Sequence, residues 1–265
     1  MIADRVMAGG DSADRLYFGP DLVWQRVTSD NPIINLNPAL YLDTRYPAGI
    51  DQPTPASGTP LASWTDLSSS NRDVTQADAG RRPLWTPTGV TFDGNDDRLT
   101  VPVFPQAQSN TAAGLTCYTV RQYTGALSGT PRSFRVGMDG GSSNGWGVGA
   151  SGSAASRAFQ FHGVTAVLAG ATYVGVNDLM VETITFSSQG KAFGIRANGG
   201  AYVGATNGTT PQNATGNVTL GGDPAGSPFR GTIAAVALFA TAHSRDTQIT
   251  VEQYLAAAFG VTLIA

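Results

Sequence analysis

The sequence predicts an all-β protein: a two-sheet antiparallel sandwich of the jelly-roll kind, with one short C-terminal helix and an N-terminal hairpin. Three observations lead there. Charged residues make up 13% of the 265, against roughly 25% in an average soluble domain, while Gly is abundant at 33 residues and Pro stands at 15. That pairing suits short strands joined by tight turns. Roughly a dozen apolar segments follow one another between turn residues, several in strict alternation, as in Met180-Val181-Glu182-Thr183-Ile184-Thr185-Phe186. Only one stretch has convincing helical character, and it closes the chain.

Residues 1–30 stand apart. A polar, small-residue start is followed by LYFGPDLVW, in which two apolar pieces flank Gly19-Pro20-Asp21, a strong turn sequence. An isolated hairpin is marginal in water, so this one needs a surface to pack on. We read 1–30 as an attachment segment, with Leu16, Tyr17, Phe18, Val23 and Trp24 as its docking residues, and 31–265 as the sandwich.

The sandwich opens with a strand at Leu40 to Asp43 and a Pro-rich excursion over 47–60. Trp64 to Leu67, Val90 to Phe92 and Leu99 to Val103 follow, then strands over 115–123, 133–138, 145–150, 158–163, 178–188, 192–197, 202–206, 217–222 and 231–240. In SRDTQITVEQYLAAAFG, Ser244 or Asp246 suits an N-cap, Ile249, Tyr254, Leu255 and Phe259 form one face, and Gly260 suits a C-terminal stop.

Three stretches, in order, carry a resemblance. SWTDLSSSNRDVTQADAGRRP, GVTFDGNDDRLTV and FRGTIAAVALFATAHSRDTQITVEQYLAAAFGV resemble the opening, middle and closing motifs of concanavalin A-like, laminin G-like domains of bacteriophage virion proteins and bacterial surface proteins. The resemblance is taken to cover residues 40 to 263. Ser69 stands where those domains have Gly, and Ala235 where they have Glu. LYFGPDLVW resembles short lead-ins of phage minor tail proteins, and the preference for Arg over Lys, with Lys191 the lone lysine, suits a GC-rich genome. The resemblance implies a jelly roll in a virion.

Chemistry is sparse. The only glutamates are Glu182 and Glu252; a retaining glycoside hydrolase needs two carboxylates roughly 5–5.5 Å apart, and neither glutamate has an acidic neighbour at strand spacing. Glu182 is expected to face solvent. His162 and His243 are too few for a zinc site, and Cys117 reads as a buried, inert thiol. No catalytic residue is assigned and no enzyme is expected.

Calcium is the one cofactor the residues suggest, through Asp93, Asp96 and Asp97. An EF-hand is excluded, since Arg98 occupies the turn position that needs Gly and Phe104 the position of the bidentate Glu. The simpler reading of the cluster is a hairpin turn fixed by side-chain-to-backbone hydrogen bonds. For glycan or receptor contact the candidates are Trp146, in a Gly-rich loop, with Tyr173 and Tyr202. Trp64 and Trp85 are assigned to packing.

A net charge of −3 gives no basic stripe, so nucleic acid is not an expected partner. No apolar run is long enough to span a bilayer, and the N-terminus shows no hydrophobic leader. The sequence reading is therefore a non-enzymatic phage structural protein located in the virion, a minor tail or fibre component. It would dock by its N-terminus on other virion proteins, present a sandwich to host glycans and form a homo-oligomer. A capsid decoration protein is the first alternative, a glycan-degrading enzyme the second, and a bacterial surface adhesin is disfavoured.

Overall fold

The structure is a computed structural model. It describes residues 15–18, 21–25, 31–107, 113–124, 132–137, 145–151, 156–161, 164–168, 177–187, 192–206, 214, 216–223 and 227–264.

A hairpin of β1 (Arg15–Phe18) and β2 (Asp21–Gln25) comes first, then one helical turn, α1 (Pro32–Asn35). Next are β3 (Leu40–Asp43), β4 (Thr59–Pro60), β5 (Ser63–Trp64), β6 (Val74–Thr75), β7 (Leu84–Thr86), β8 (Gly89–Asp93), β9 (Leu99–Pro102) and β10 (Leu115–Tyr123). They are followed by β11 (Arg132–Gly137), β12 (Gly145–Ser151), β13 (Ser156–Phe161), β14 (Val164–Leu168), β15 (Met180–Phe186), β16 (Ala192–Ala197) and β17 (Val203–Thr206). The chain closes with β18 (Asn217–Leu220), β19 (Gly222–Asp223), β20 (Ser227–Pro228), β21 (Arg230–Phe239) and helix α2 (Arg245–Phe259).

Two antiparallel sheets face each other. One runs β17-β16-β15-β10-β21-β8-β7-β4, with β3 also paired to β21; the other runs β14-β13-β12-β11-β18-β9-β6-β5. This is the expected two-sheet sandwich. The expected N-terminal hairpin is also present, with Leu16 opposite Trp24 and a register shift at Leu16/Tyr17.

Two apolar layers hold the fold. Between the sheets lie Leu42, Phe92, Leu99, Cys117, Phe134, Trp146, Ile184, Phe186, Ile195 and Leu238. On the outer face of the first sheet, Tyr118, Val120, Val181 and Phe239 pack under Val251, Leu255 and Ala256 of α2. Strand β10 thus alternates Leu115 and Cys117 inward with Tyr118 and Val120 toward the helix, so both of its faces are buried.

Local chemistry places the helix. Ser244 caps α2, its hydroxyl accepting from the Thr247 N–H at 3.3 Å, and Gly260 ends it in the left-handed conformation at φ 68°. The buried face is Gln248, Val251, Glu252, Leu255 and Ala256. Of the four residues expected there, Leu255 is fully buried, and Ile249, Tyr254 and Phe259 are half-buried. The face is rotated because Gln248 and Glu252 reach strand side chains beneath.

The W-x-D-x-S stretch is a structural knot. Asp66 accepts from the Tyr41 N–H at 2.9 Å, the Ser68 N–H at 2.9 Å, the Ser68 hydroxyl at 2.8 Å and the Arg72 N–H at 2.8 Å. Trp64 and Trp85 are buried as expected, donating to the Asp43 and Thr44 carbonyls at 3.2 and 3.0 Å.

Two readings need correction. The loop in GVTFDGNDDRLTV is not a hairpin turn: β8 pairs with β21 and β9 with β18, so it carries the chain from one sheet to the other. Alternation cannot separate the two cases, because Phe92 and Leu99 point into the same core from opposite sheets. Glu182 does not face solvent either. It is fully buried in an ion pair with Arg121, also fully buried, and an arginine two strand positions from the β10 end supplied the counter-charge that made its burial tolerable.

Candidate functional site

A concavity lies on the outer face of the first sheet, where β15, β16 and β17 meet the start of α2. It is an open groove of about 890 Å³. Strand residues Thr185, Gly194, Arg196 and Gly204 contribute to its lining, as do Arg245 and Gln248 of the helix and Tyr202 from the β16–β17 turn. Glycine shapes it: Gly194 and Gly204 face each other across the β16–β17 pair.

Tyr202 packs closely against that floor. A Cβ on Gly194 would sit 1.8 Å from the Tyr202 ring, so only glycine admits the aromatic there. The Tyr202 hydroxyl donates to the Gly194 carbonyl at 3.1 Å, and the Arg196 guanidinium lies 5.7 Å from the ring centroid. Tyr202 lines the groove and is 43% exposed. Burial of the remainder pushes the phenol up to about 12, so it is a neutral hydrogen-bonding group at ordinary pH.

Charge sits behind and beside the ring. Arg196 Nε donates to Glu252 Oε1 at 2.6 Å, and the Thr183 hydroxyl donates to the same oxygen. Arg245, half in solvent, reaches Glu252 Oε2 at 3.9 Å and donates to the Gly199 carbonyl at 3.4 Å. Burial raises the Glu252 carboxyl, and the Thr183 hydrogen bond and the Arg245 charge pull it back. Gln248 donates to Thr185 Oγ1 at 3.2 Å and to the His243 carbonyl at 3.0 Å, stitching the helix start to the strand. An aromatic platform with guanidinium, amide and hydroxyl groups around it is suited to a polar, ring-shaped ligand.

Of the residues proposed from sequence for ligand contact, Tyr202 is in this groove. Trp146 is not: it is fully buried between the sheets, 5.4 Å from Phe134 and 5.1 Å from Phe186 between ring centroids, with its indole N–H donating to the Ala107 carbonyl at 2.9 Å. Its glycine neighbours lie on the opposite face of β12, where a Cβ on Gly147 would meet the Arg132 and Arg135 side chains at 3.3 Å. Tyr173 lies outside the described residues. For Leu16, Tyr17, Phe18, Val23 and Trp24 the backbone hairpin alone is described.

The three aspartates do come together, with one oxygen of each of Asp93, Asp96 and Asp97 within 4.8 Å of the others. Their oxygens already serve the loop. Asp93 accepts from the Asn95 N–H and side-chain amide, both at 2.8 Å; Asp97 accepts from the Asp93 N–H at 3.0 Å; Asp96 is 3.4 Å from Arg81. Those bonds draw the Asp93 carboxyl below its ordinary value against a desolvation that raises it. Burial lifts Asp97, helped by the neighbouring Asp93 and Asp96 charges.

No family model matches the chain. No curated protein matches it in sequence. Solved structures do match in fold. A Trypanosoma rangeli sialidase in complex with 2,3-difluorosialic acid, a covalent intermediate, superposes with a TM-score of 0.59 at 15% identity, over 83% of this chain and 33% of the sialidase. A mutant of that sialidase displaying trans-sialidase activity gives 0.54 at 14%, over 88% and 38%. The ligand binding domain of botulinum neurotoxin serotype D, in complex with N-acetylneuraminic acid, gives 0.56 at 11%, over 84% and 52%. This chain thus spans about a third to a half of their length, and at these identities the likeness is one of fold.

The matches correct the functional reading. The expectation of a non-enzymatic phage structural protein, and with it the expectation of no enzyme, is overturned by a fold shared with sialidases. The alternative of a glycan-degrading protein is the better supported of those considered. The misreading came from motifs that mark a jelly roll, a scaffold that hosts unrelated functions.

Proposed function

We propose that this chain is the glycan-recognising sandwich of a glycan-degrading protein, with the Tyr202 groove as its sugar site. The observation that carries the reading is Tyr202 itself, a partly exposed aromatic ring packed against a glycine floor with polar groups lining the same groove. Sugars present an apolar C–H face to such rings and hydroxyls to the surrounding donors and acceptors. The solved structures of similar fold add support, two from a sialidase and one a binding domain with N-acetylneuraminic acid. Among the described residues the groove lining carries arginine, tyrosine, glutamine and hydroxyl groups and no carboxylate, the equipment of recognition; bond cleavage in the whole protein would draw on residues outside this groove.

A glycan array probed with the chain tests the reading, followed by titration of the strongest hit. Tyr202→Ala is expected to weaken binding by about 2 kcal/mol, roughly thirtyfold in Kd, the loss typical of a central aromatic contact. Binding that survives this substitution unchanged would move the sugar site elsewhere.

A further inference from the structure

The groove has an imbalance of charge that a neutral sugar would not use, and the inference drawn from it rests on the glycan-recognition reading. Two guanidiniums, Arg196 and Arg245, share one carboxylate, Glu252. The remaining lining is uncharged among the described residues, so the floor carries an excess positive charge. Arg196 is 2% exposed, and its Nη2 has no hydrogen-bond partner among the described residues. A buried donor left without an acceptor is costly, and such groups are rare unless something else fills the site. Arg245 is the opposite case. Its side chain is 52% exposed, and its contacts, at 3.4 and 3.9 Å, are long for a guanidinium.

Arg245 is also the first residue of the fifteen-residue helix α2, whose N-terminal end carries partial positive charge, offset in part by Asp246 in its first turn. A buried guanidinium with a spare donor and a half-exposed one at a helix start, both lining the groove and both reaching Glu252, form a receptor for an anion beside Tyr202. A carboxylate matches the planar fork of a guanidinium in two parallel hydrogen bonds. We infer that the groove takes glycans bearing a carboxylate-substituted sugar, its ring on Tyr202 and its carboxylate between Arg196 and Arg245.

The test compares each acidic sugar with its own methyl ester, which keeps the ring and removes the charge. Probes are the methyl glycosides of N-acetylneuraminic acid and of glucuronic acid, their esters, and a sulfated galactoside, titrated by calorimetry in 50 and 300 mM salt. At least one acid is expected to bind tenfold or more tighter than its ester, to weaken at high salt and to lose that advantage in Arg245→Ala, whose fold is checked by circular dichroism. Tyr202→Ala should weaken acid and ester alike. Equal binding of acid and ester, both lost in Tyr202→Ala, would overturn the charge inference and leave the sugar site standing. A preference for the sulfated sugar would overturn the carboxylate assignment. Absence of any glycan binding sensitive to Tyr202→Ala would overturn both.

Discussion

Glu182→Ala should be among the most destabilising single substitutions in this sandwich. Glu182 and Arg121 are both fully buried and form a direct ion pair between β15 and β10, on the core side of the sheet near Cys117. Arg121 also donates to the Ser133 hydroxyl at 2.8 Å and to the Tyr123 hydroxyl, and its guanidinium lies 4.8 Å from the Tyr123 ring centroid. Removing the carboxylate leaves the cation between the sheets without that anion, and breaking a buried pair in this way costs about 3–5 kcal/mol. For a domain of this size each kcal/mol is worth roughly 2–4 °C, so a fall in Tm of roughly 6–20 °C follows. Replacing both partners, Arg121→Met with Glu182→Leu, removes the charges together and should be neutral or stabilising by about 1–4 kcal/mol. Urea titration followed by tryptophan fluorescence measures both, with an unchanged m-value as the check on two-state behaviour. A Glu182→Ala variant within about 0.5 kcal/mol of the parent, the range of an ordinary surface change, would show that the pair carries no such penalty.

Three further outcomes are expected. Gly194→Ala places a methyl 1.8 Å from the Tyr202 ring; it should displace the platform and cost tenfold or more in glycan Kd while far-UV circular dichroism stays unchanged, and undiminished binding would contradict the placement of the sugar. His243, which meets the Tyr118 hydroxyl through Nδ1 at 2.8 Å, is pushed down by burial to about 4, so the unfolded chain binds the extra proton between pH 6.5 and 4 and stability falls as pH drops through that window; with allowance for the solvent reaching the ring the loss is about 2 kcal/mol, and His243→Gln should flatten the stability–pH curve there. Calcium at 5 mM should leave Tm unchanged within about 1 °C, because the Asp93 and Asp97 oxygens are occupied by the loop's own N–H groups and calcium needs six to eight oxygens; a rise of several degrees, abolished in Asp96→Ala, would make the cluster a cation site.

The strands were legible as short apolar, β-prone segments between turn residues. The predicted strand over 115–123 coincides with β10, and that over 192–197 with β16. Partner sheets were not legible: Phe92 and Leu99 look like two arms of a hairpin until the pairing sends them to opposite sheets. The Gly-rich neighbourhood of Trp146 suggested exposure, yet the period of two already separated the inward Trp146 and Val148 from the outward Gly147, and that pattern was the better guide. The buried charges were beyond local reading. Arg121 and Glu182 lie 61 positions apart in sequence and Arg196 and Glu252 lie 56 apart, so each pair exists only once register and helix placement are set.

The groove makes the same point from the side of function. Glycines opposite each other at 194 and 204 weaken a strand pair, since neither offers a side chain to pack across it. Tyr202 offsets this by folding over Gly194 and donating to its carbonyl. For stability alone a β-branched pair would serve better at those positions, and Tyr202 would then have no floor to lie on. The arrangement trades sheet stability for an aromatic surface in the groove, with Arg196 5.7 Å from the ring centroid and Arg245 in the same lining. Each of these residues has an ordinary place in the sequence, a strand arginine, a turn tyrosine and a helix-start arginine. Their convergence is set by the β15–β16–β17 register and by Gln248 and Glu252 fixing α2 on that sheet. Local rules of strand and helix formation do not require two polar helix residues to be buried there; their hydrogen bonds to Thr183, Thr185 and Arg196 are what seat the helix beside the groove.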